Sequence, residues 1–177
     1  SNQVKNMAKT GTLAIAEPTD IKAIQAQVDE KLLEIASREL GVPRDQLVVR
    51  DAIPDEDFGF STPQYTVTPA SAGWNDFVNT TVADNRFIAI YGVAAVDADN
   101  VTYVKFTSGA KTLDYWELES LQAQQNKFKI ATSPIILRQN TAIRIQLYAT
   151  STDAVIMPLL ARVVEVKGRT VEPGTTQ

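Results

Sequence analysis

The chain has 177 residues, 17 Lys plus Arg against 21 Asp plus Glu, a net charge of −4, and neither Cys nor His. One domain, or one domain with an appendage, is the expectation at this length, with a core large enough to need no staple. The missing residue types exclude disulfide scaffolds, zinc ribbons, thiol chemistry, histidine metal sites and His-activated nucleophiles, while the acidic balance leaves no electrostatic footprint for nucleic acid.

Residues 1 to 17 form a polar arm. Its first dozen residues contain no apolar signal core, and its one alternating stretch, Thr10 to Ala16, sets Leu13 and Ile15 on the same side. A helix is predicted next. Pro18-Thr19-Asp20 supplies a capping side chain and an acid at the positive end of the helix dipole. Ile21, Ile24, Val28, Leu32 and Ile35 then recur at helical spacing and define one apolar face. Gly41 and Pro43 end the helix. The five aliphatics are too large a patch to leave in water, so they are expected to bury against the rest of the chain or against a neighbouring subunit.

From Pro43 to Ala72 the chain reads as a connector. Leu47-Val48-Val49 is a candidate short strand and Tyr65 to Thr68 a candidate edge strand. Between them lies an acidic cluster of Asp51, Asp55, Glu56 and Asp57. It reads as a solvated loop; the sharper alternative is an all-oxygen site for a hard cation, but the EF-hand order of ligands is absent.

After Trp74 the period changes. Among the apolar residues 21 are Ala, 17 Val and 13 Ile, with 18 Thr besides, and the β-branched types suit a pleated surface. Arg86 to Val96 is an almost continuous strand-prone run, ended by the turn Asp97-Ala98-Asp99-Asn100. Val101 to Thr107 follows, with Val101, Tyr103 and Lys105 expected on one side, and Lys111 to Glu117 returns after Ser108-Gly109. Phe128 to Ile130 and Ile135 to Leu137 read as two short strands separated by Pro134. Ile143, Ile145 and Leu147 alternate with polar neighbours, and Val155 to Val166 supplies one or two strands around Pro158. Seven or eight short strands at about 8–12-residue intervals predict an antiparallel β-sandwich, of jelly-roll type. The expected division is an arm, helix and connector over 1–57 and the sandwich with a short tail over 58–177.

Chemistry-bearing patterns are few. Asn79-Thr80-Thr81 and Asn100-Val101-Thr102 match the glycosylation acceptor by chance composition. Asp114-Tyr115-Trp116-Glu117 sets aromatics between carboxylates, as a sugar site would, but near neighbours on one strand cannot face each other across a scissile bond. Hence no catalytic residue, cofactor or metal is assigned. Trp74, Tyr115 and Trp116 are the candidate ligand-binding residues for a glycan- or receptor-binding module, the alternative reading.

Arm, helix and sandwich in that order resemble, in organisation, the virion structural proteins of bacterial viruses: jelly-roll capsid, cement or decoration subunits with N-terminal arms. The resemblance implies a non-enzymatic subunit of a large symmetric assembly, located in the virion. Its partners would be copies of itself or a major capsid protein, with no nucleic acid and no membrane. Leu13, Ile15, Ile21, Ile24, Val28, Leu32 and Ile35 are then the candidate subunit-interface residues.

Overall fold

Helix α1 (Pro18–Leu40) leads into a 3-10 turn at Arg44–Gln46 and strand β1 (Leu47–Asp51). The computed structural model describes residues 18–123 and 127–168. A one-turn helix α2 (Pro54–Phe58) follows, then β2 (Thr66–Val67), β3 (Gly73–Thr81), β4 (Arg86–Ala94), β5 (Val101–Ser108) and β6 (Lys111–Glu117). The chain continues through β7 (Phe128–Leu137), β8 (Ala142–Ala149), β9 (Val155–Ile156) and β10 (Leu159–Val166). Two four-stranded antiparallel sheets result: sheet I in the order β1-β10-β4-β7 and sheet II in the order β3-β8-β5-β6. With the two-residue strands β2 and β9 set aside as a small separate pair, this order is the double Greek key of a jelly roll.

The core between the sheets is drawn from both. Ile88, Ile90, Leu137 and Val163 of sheet I meet Val104, Phe106, Trp116, Ile143, Ile145 and Leu147 of sheet II. A second core lies on the other side of sheet I, where α1 covers Phe87, Ala89, Tyr91 and Val164 with Val28, Leu32, Ile35 and Ala36. Strand β4 is therefore buried on both faces along its whole length. That is why its sequence runs apolar without alternating. The helix end is set by Gly41, whose φ of 67° is the left-handed geometry, with its amide donating to the Ser37 carbonyl at 2.9 Å.

Four expectations change here. β1 extends to Asp51 and pairs along its length with β10, so a strand from the supposed connector is an outer strand of sheet I. β3 has no counterpart in the sequence reading: a bulge between Asp76 and Val78 puts both Phe77 and Val78 in the core and breaks the alternation. A bulge between Val101 and Tyr103 likewise buries Val101 while Tyr103 faces water, so these two do not share a side. The two short strands around Pro134 are one strand, β7. Pro134 is tolerated because β7 is a sheet edge and its register breaks there, with Gly92 pairing Ile130 and Ile90 pairing Ile135. Gly92 belongs to that irregularity, since a Cβ on it would meet the Lys129 carbonyl oxygen at 2.4 Å.

The acidic cluster is resolved into ion pairs, which replaces both the solvated-loop and the cation readings for Asp57 and Asp51. Asp57, fully buried, accepts two hydrogen bonds from Arg50 at 2.7 and 2.9 Å and one from the Ile53 amide at 2.6 Å, and pairs with Arg86 at 3.1 Å. Glu165 of β10 bridges the same two guanidiniums at 3.2 Å each. The cluster ties α2 to β1, β4 and β10. A second junction holds α1: Arg162 of β10 donates twice to Asp29 at 2.8 and 3.0 Å, and once to Asp51 at 2.6 Å. Hydrogen bonds to Asp57, opposed by burial, raise the Arg50 guanidinium further above its usual range, and those to Asp29 do the same for Arg162. Asp55 and Glu56 stay exposed.

Tyr65 sits edge-to-face on Phe60 at 5.4 Å, with its hydroxyl buried and without a hydrogen-bond partner among the described residues. Burial, with the Asp57 and Asp51 charges adding, raises its phenol above the usual value, and burial raises that of Tyr91 too. Because the folded state favours the neutral phenol, this contribution is complete below the unfolded value of ~10 and is lost as pH rises beyond it. The melting temperature should fall above about pH 10 and fall less steeply in Tyr65→Phe. At neutral pH that variant should gain up to about 1 kcal/mol by removing an unpaired hydroxyl, read by urea unfolding.

Candidate functional site

The sheets differ on their outer faces. Sheet I is covered by α1. Sheet II carries an aromatic set on its outer face, built by strand register. One row across four strands runs Trp74, Tyr148, Tyr103 and Glu117; the next runs Asp76, Gln146, Lys105 and Tyr115. The bulges in β3 and β5 keep these residues outward while Phe77, Val78 and Val104 turn inward. Trp74, Tyr103, Tyr115 and Tyr148 are 41–50% exposed and make up half of the large exposed hydrophobics among the described residues. Single exposed apolar residues are ordinary, but four aromatics gathered on one sheet face make a candidate binding surface.

The rings hold one another. Trp74 meets Tyr148 edge-to-face at 5.3 Å and Tyr115 at 6.2 Å. The Lys105 ammonium lies 5.9 Å from the Trp74 ring centre and 5.5 Å from that of Tyr115, within cation–π range of both. Around them Arg144 is bound to Asp76 at 2.8 Å, and Glu117 accepts from the Ser120 amide and hydroxyl at 2.6 and 2.9 Å. Burial works against the ionised Glu117, but the Ser120 bonds outweigh it and hold the carboxyl below its ordinary range.

Of the three ligand-binding candidates read from sequence, two meet here. Trp116 does not. It is 1% exposed, packs on Phe106 at 4.4 Å between the sheets, and donates its indole N–H to Asp114 at 3.0 Å. Adjacent residues on a strand face opposite ways, so Tyr115 and Trp116 could not both belong to one surface. Tyr103, Lys105 and Tyr148 were missed. Their signal was the alternation of β8 and β5, whose polar positions carry rings.

The subunit-interface candidates separate as well. Val28, Leu32 and Ile35 are covered by the chain's own sheet I, so they are core and not a contact for a neighbour. Ile21 and Ile24 are half-buried at the margin of the same cluster. Leu13 and Ile15 lie outside the described residues. Asp97-Ala98-Asp99-Asn100 is a turn tied down on both sides: Asp97 bridges to Ile156, Lys127 binds Asp99 at 2.9 Å, and the Asn100 side chain donates to the Ser151 and Asp153 carbonyls.

A second surface feature lies at the strand edges. β6 ends sheet II and β7 ends sheet I, and a groove of about 240 Å³ opens beside them. It is lined by Leu113, Pro134, Ile135 and Ile136, with Asp114 and Ser133. Among the described residues no other strand pairs with the outer edge of β6 or β7. Nor do any three Asp or Glu side chains among them gather as a metal-holding group, and no described helix is long and apolar enough to cross a membrane.

The fold and its surfaces thus define a helix-backed jelly roll with one open aromatic sheet. No protein-family model and no curated protein matches the chain. Among solved structures it is similar to the crystal structure of the infectious bursal disease virus VP2 subviral particle, with a TM-score of 0.36 and 11% identity. That likeness covers 75% of this chain and 36% of the other, so the chain spans little more than a third of the length of the protein it matches.

Proposed function

We propose that the chain is a non-enzymatic structural subunit of a large symmetric shell, a capsid, cement or decoration protein of a virion, that joins copies of itself or a major shell protein. The observation that supports this reading is the pair of open strand edges at β6 and β7 beside an apolar groove. Free strand edges invite another strand, and a monomer gains by blunting them. The occupant is the alternating stretch Thr10 to Ala16 of a neighbouring copy, adding its backbone to an edge and its Leu13 and Ile15 to the apolar lining. In this assembly the phage-type arm is the connector and the jelly roll the tile.

Removing residues 1–17 tests it. The helix and both cores lie outside the deleted segment, so the truncated protein is expected to keep its melting temperature and its far-ultraviolet spectrum. It should sediment as a monomer under conditions where the full chain forms particles or occupies them. Unchanged particle formation or unchanged occupancy would remove the arm from the mechanism.

A further inference from the structure

We propose that the outer face of sheet II is a saccharide-binding site for glycan chains bearing carboxylated sugars, with Trp74, Tyr115 and Tyr148 contacting sugar rings and Lys105 meeting a sugar carboxylate. The composition of the two rows carries this. They hold four aromatic rings, two carboxylates, one amide and one ammonium, and no aliphatic side chain. A pyranose presents C–H groups on its faces and hydroxyls around its rim, so it requires ring surfaces with hydrogen-bonding groups between them. The core of a protein–protein contact is instead depleted of charged side chains.

Charge selects the ligand further. Asp76 is engaged by Arg144 and Glu117 by Ser120, whereas no carboxylate among the described residues lies within ion-pair distance of Lys105. The centre of the face therefore carries an ammonium with no ion-pair partner among the described residues, while Glu117 at the end of the neighbouring row keeps its charge, in a chain whose net charge is −4. A cation held against two rings, and left without a partner, is complementary to a carboxylate on a sugar. The shape agrees: strands about 4.8 Å apart make a four-strand row of roughly 14 Å, long enough for a short oligosaccharide. The rings are fixed by edge-to-face contacts before any ligand arrives, which lowers the ordering cost of binding.

The site uses no residue of the arm, so its failure and the failure of the assembly reading are separate results. The protein has two tryptophans and Trp116 is sealed in the core, so a fluorescence change on binding reports Trp74. The full chain is titrated with a panel of uronate- and sialate-bearing oligosaccharides and with their carboxyl-reduced counterparts. Acidic members should shift the emission and bind more tightly than the reduced ones. Trp74→Ala should weaken binding about tenfold or more by calorimetry, and Lys105→Gln should bring acidic and reduced chains to equal affinity, with melting temperatures unchanged in both. Absence of binding across the panel, or wild-type binding by Trp74→Ala, overturns the site. Equal affinity of the wild type for acidic and reduced chains overturns the role of Lys105. Loss of self-association in Trp74→Ala, without saccharide binding by the wild type, assigns the face to a protein partner and overturns the proposal.

Discussion

Asp57→Ala is expected to destabilise the protein by about 3–5 kcal/mol, the usual cost of removing one partner from a buried ion pair. Arg50 binds this carboxylate through both terminal nitrogens, Arg86 lies 3.1 Å from it, and the Ile53 amide donates to it. With the carboxylate gone, Glu165 and the half-exposed Glu56 are the acids left for the two guanidiniums among the described residues. The Ile53 amide loses its acceptor at the same time. Asp55→Ala, two residues away and exposed, should change stability by less than about 0.5 kcal/mol. Urea denaturation of both variants makes the comparison, and a loss below about 1 kcal/mol in Asp57→Ala would mean that solvent or relaxation replaces the carboxylate.

Leu32→Asp acts on the other core. Leu32 is fully buried between α1 and sheet I, and even its truncation to alanine would cost roughly 3–5 kcal/mol. A carboxylate there has no cation to meet among the residues of that cluster, which are apolar apart from the tyrosine hydroxyl. Either α1 leaves the sheet or the carboxyl binds a proton. Expected is a fall in melting temperature of roughly 10 °C or more, with a helix signal that disappears before the sheet signal if α1 detaches first. Ile24→Asp, at the half-buried margin, should cost distinctly less. Wild-type melting of Leu32→Asp would show that the helix does not depend on this face.

What could be read from residues alone follows the regularity of each element. The helix face was legible because five aliphatics keep one period, and β8 because Ile143, Ile145 and Leu147 alternate without a break. β3 was invisible because its bulge sets Phe77 and Val78 side by side among polar residues, which no period of two can express. Where the helix face goes was also beyond the sequence. An amphipathic helix specifies that it will be covered, not by what, and here the cover is β4, β10 and β1 of the same chain. The aromatic face was half legible: Trp74 and Tyr115 stood out by type. Their meeting with Tyr103, Tyr148 and Lys105 depends on pairings between strands as far apart as β3 and β8. Asp57 differed from its acidic neighbours only through arginines contributed by two separate strands, β1 and β4.

The pairing of β1 with β10 has a consequence for biosynthesis. Leu47 finds its register partner at Val166, and Arg50 and Asp29 find Glu165 and Arg162 no earlier. During translation the N-terminal helix therefore emerges with its apolar face uncovered and waits for more than a hundred residues before sheet I can close beneath it. Closing so long a loop is slow, and the waiting chain exposes both a greasy helix and an unpaired strand. Nascent chains of this protein should thus engage ribosome-associated chaperones, and yield should respond to elongation speed across β10 more than to any codon change in the helix.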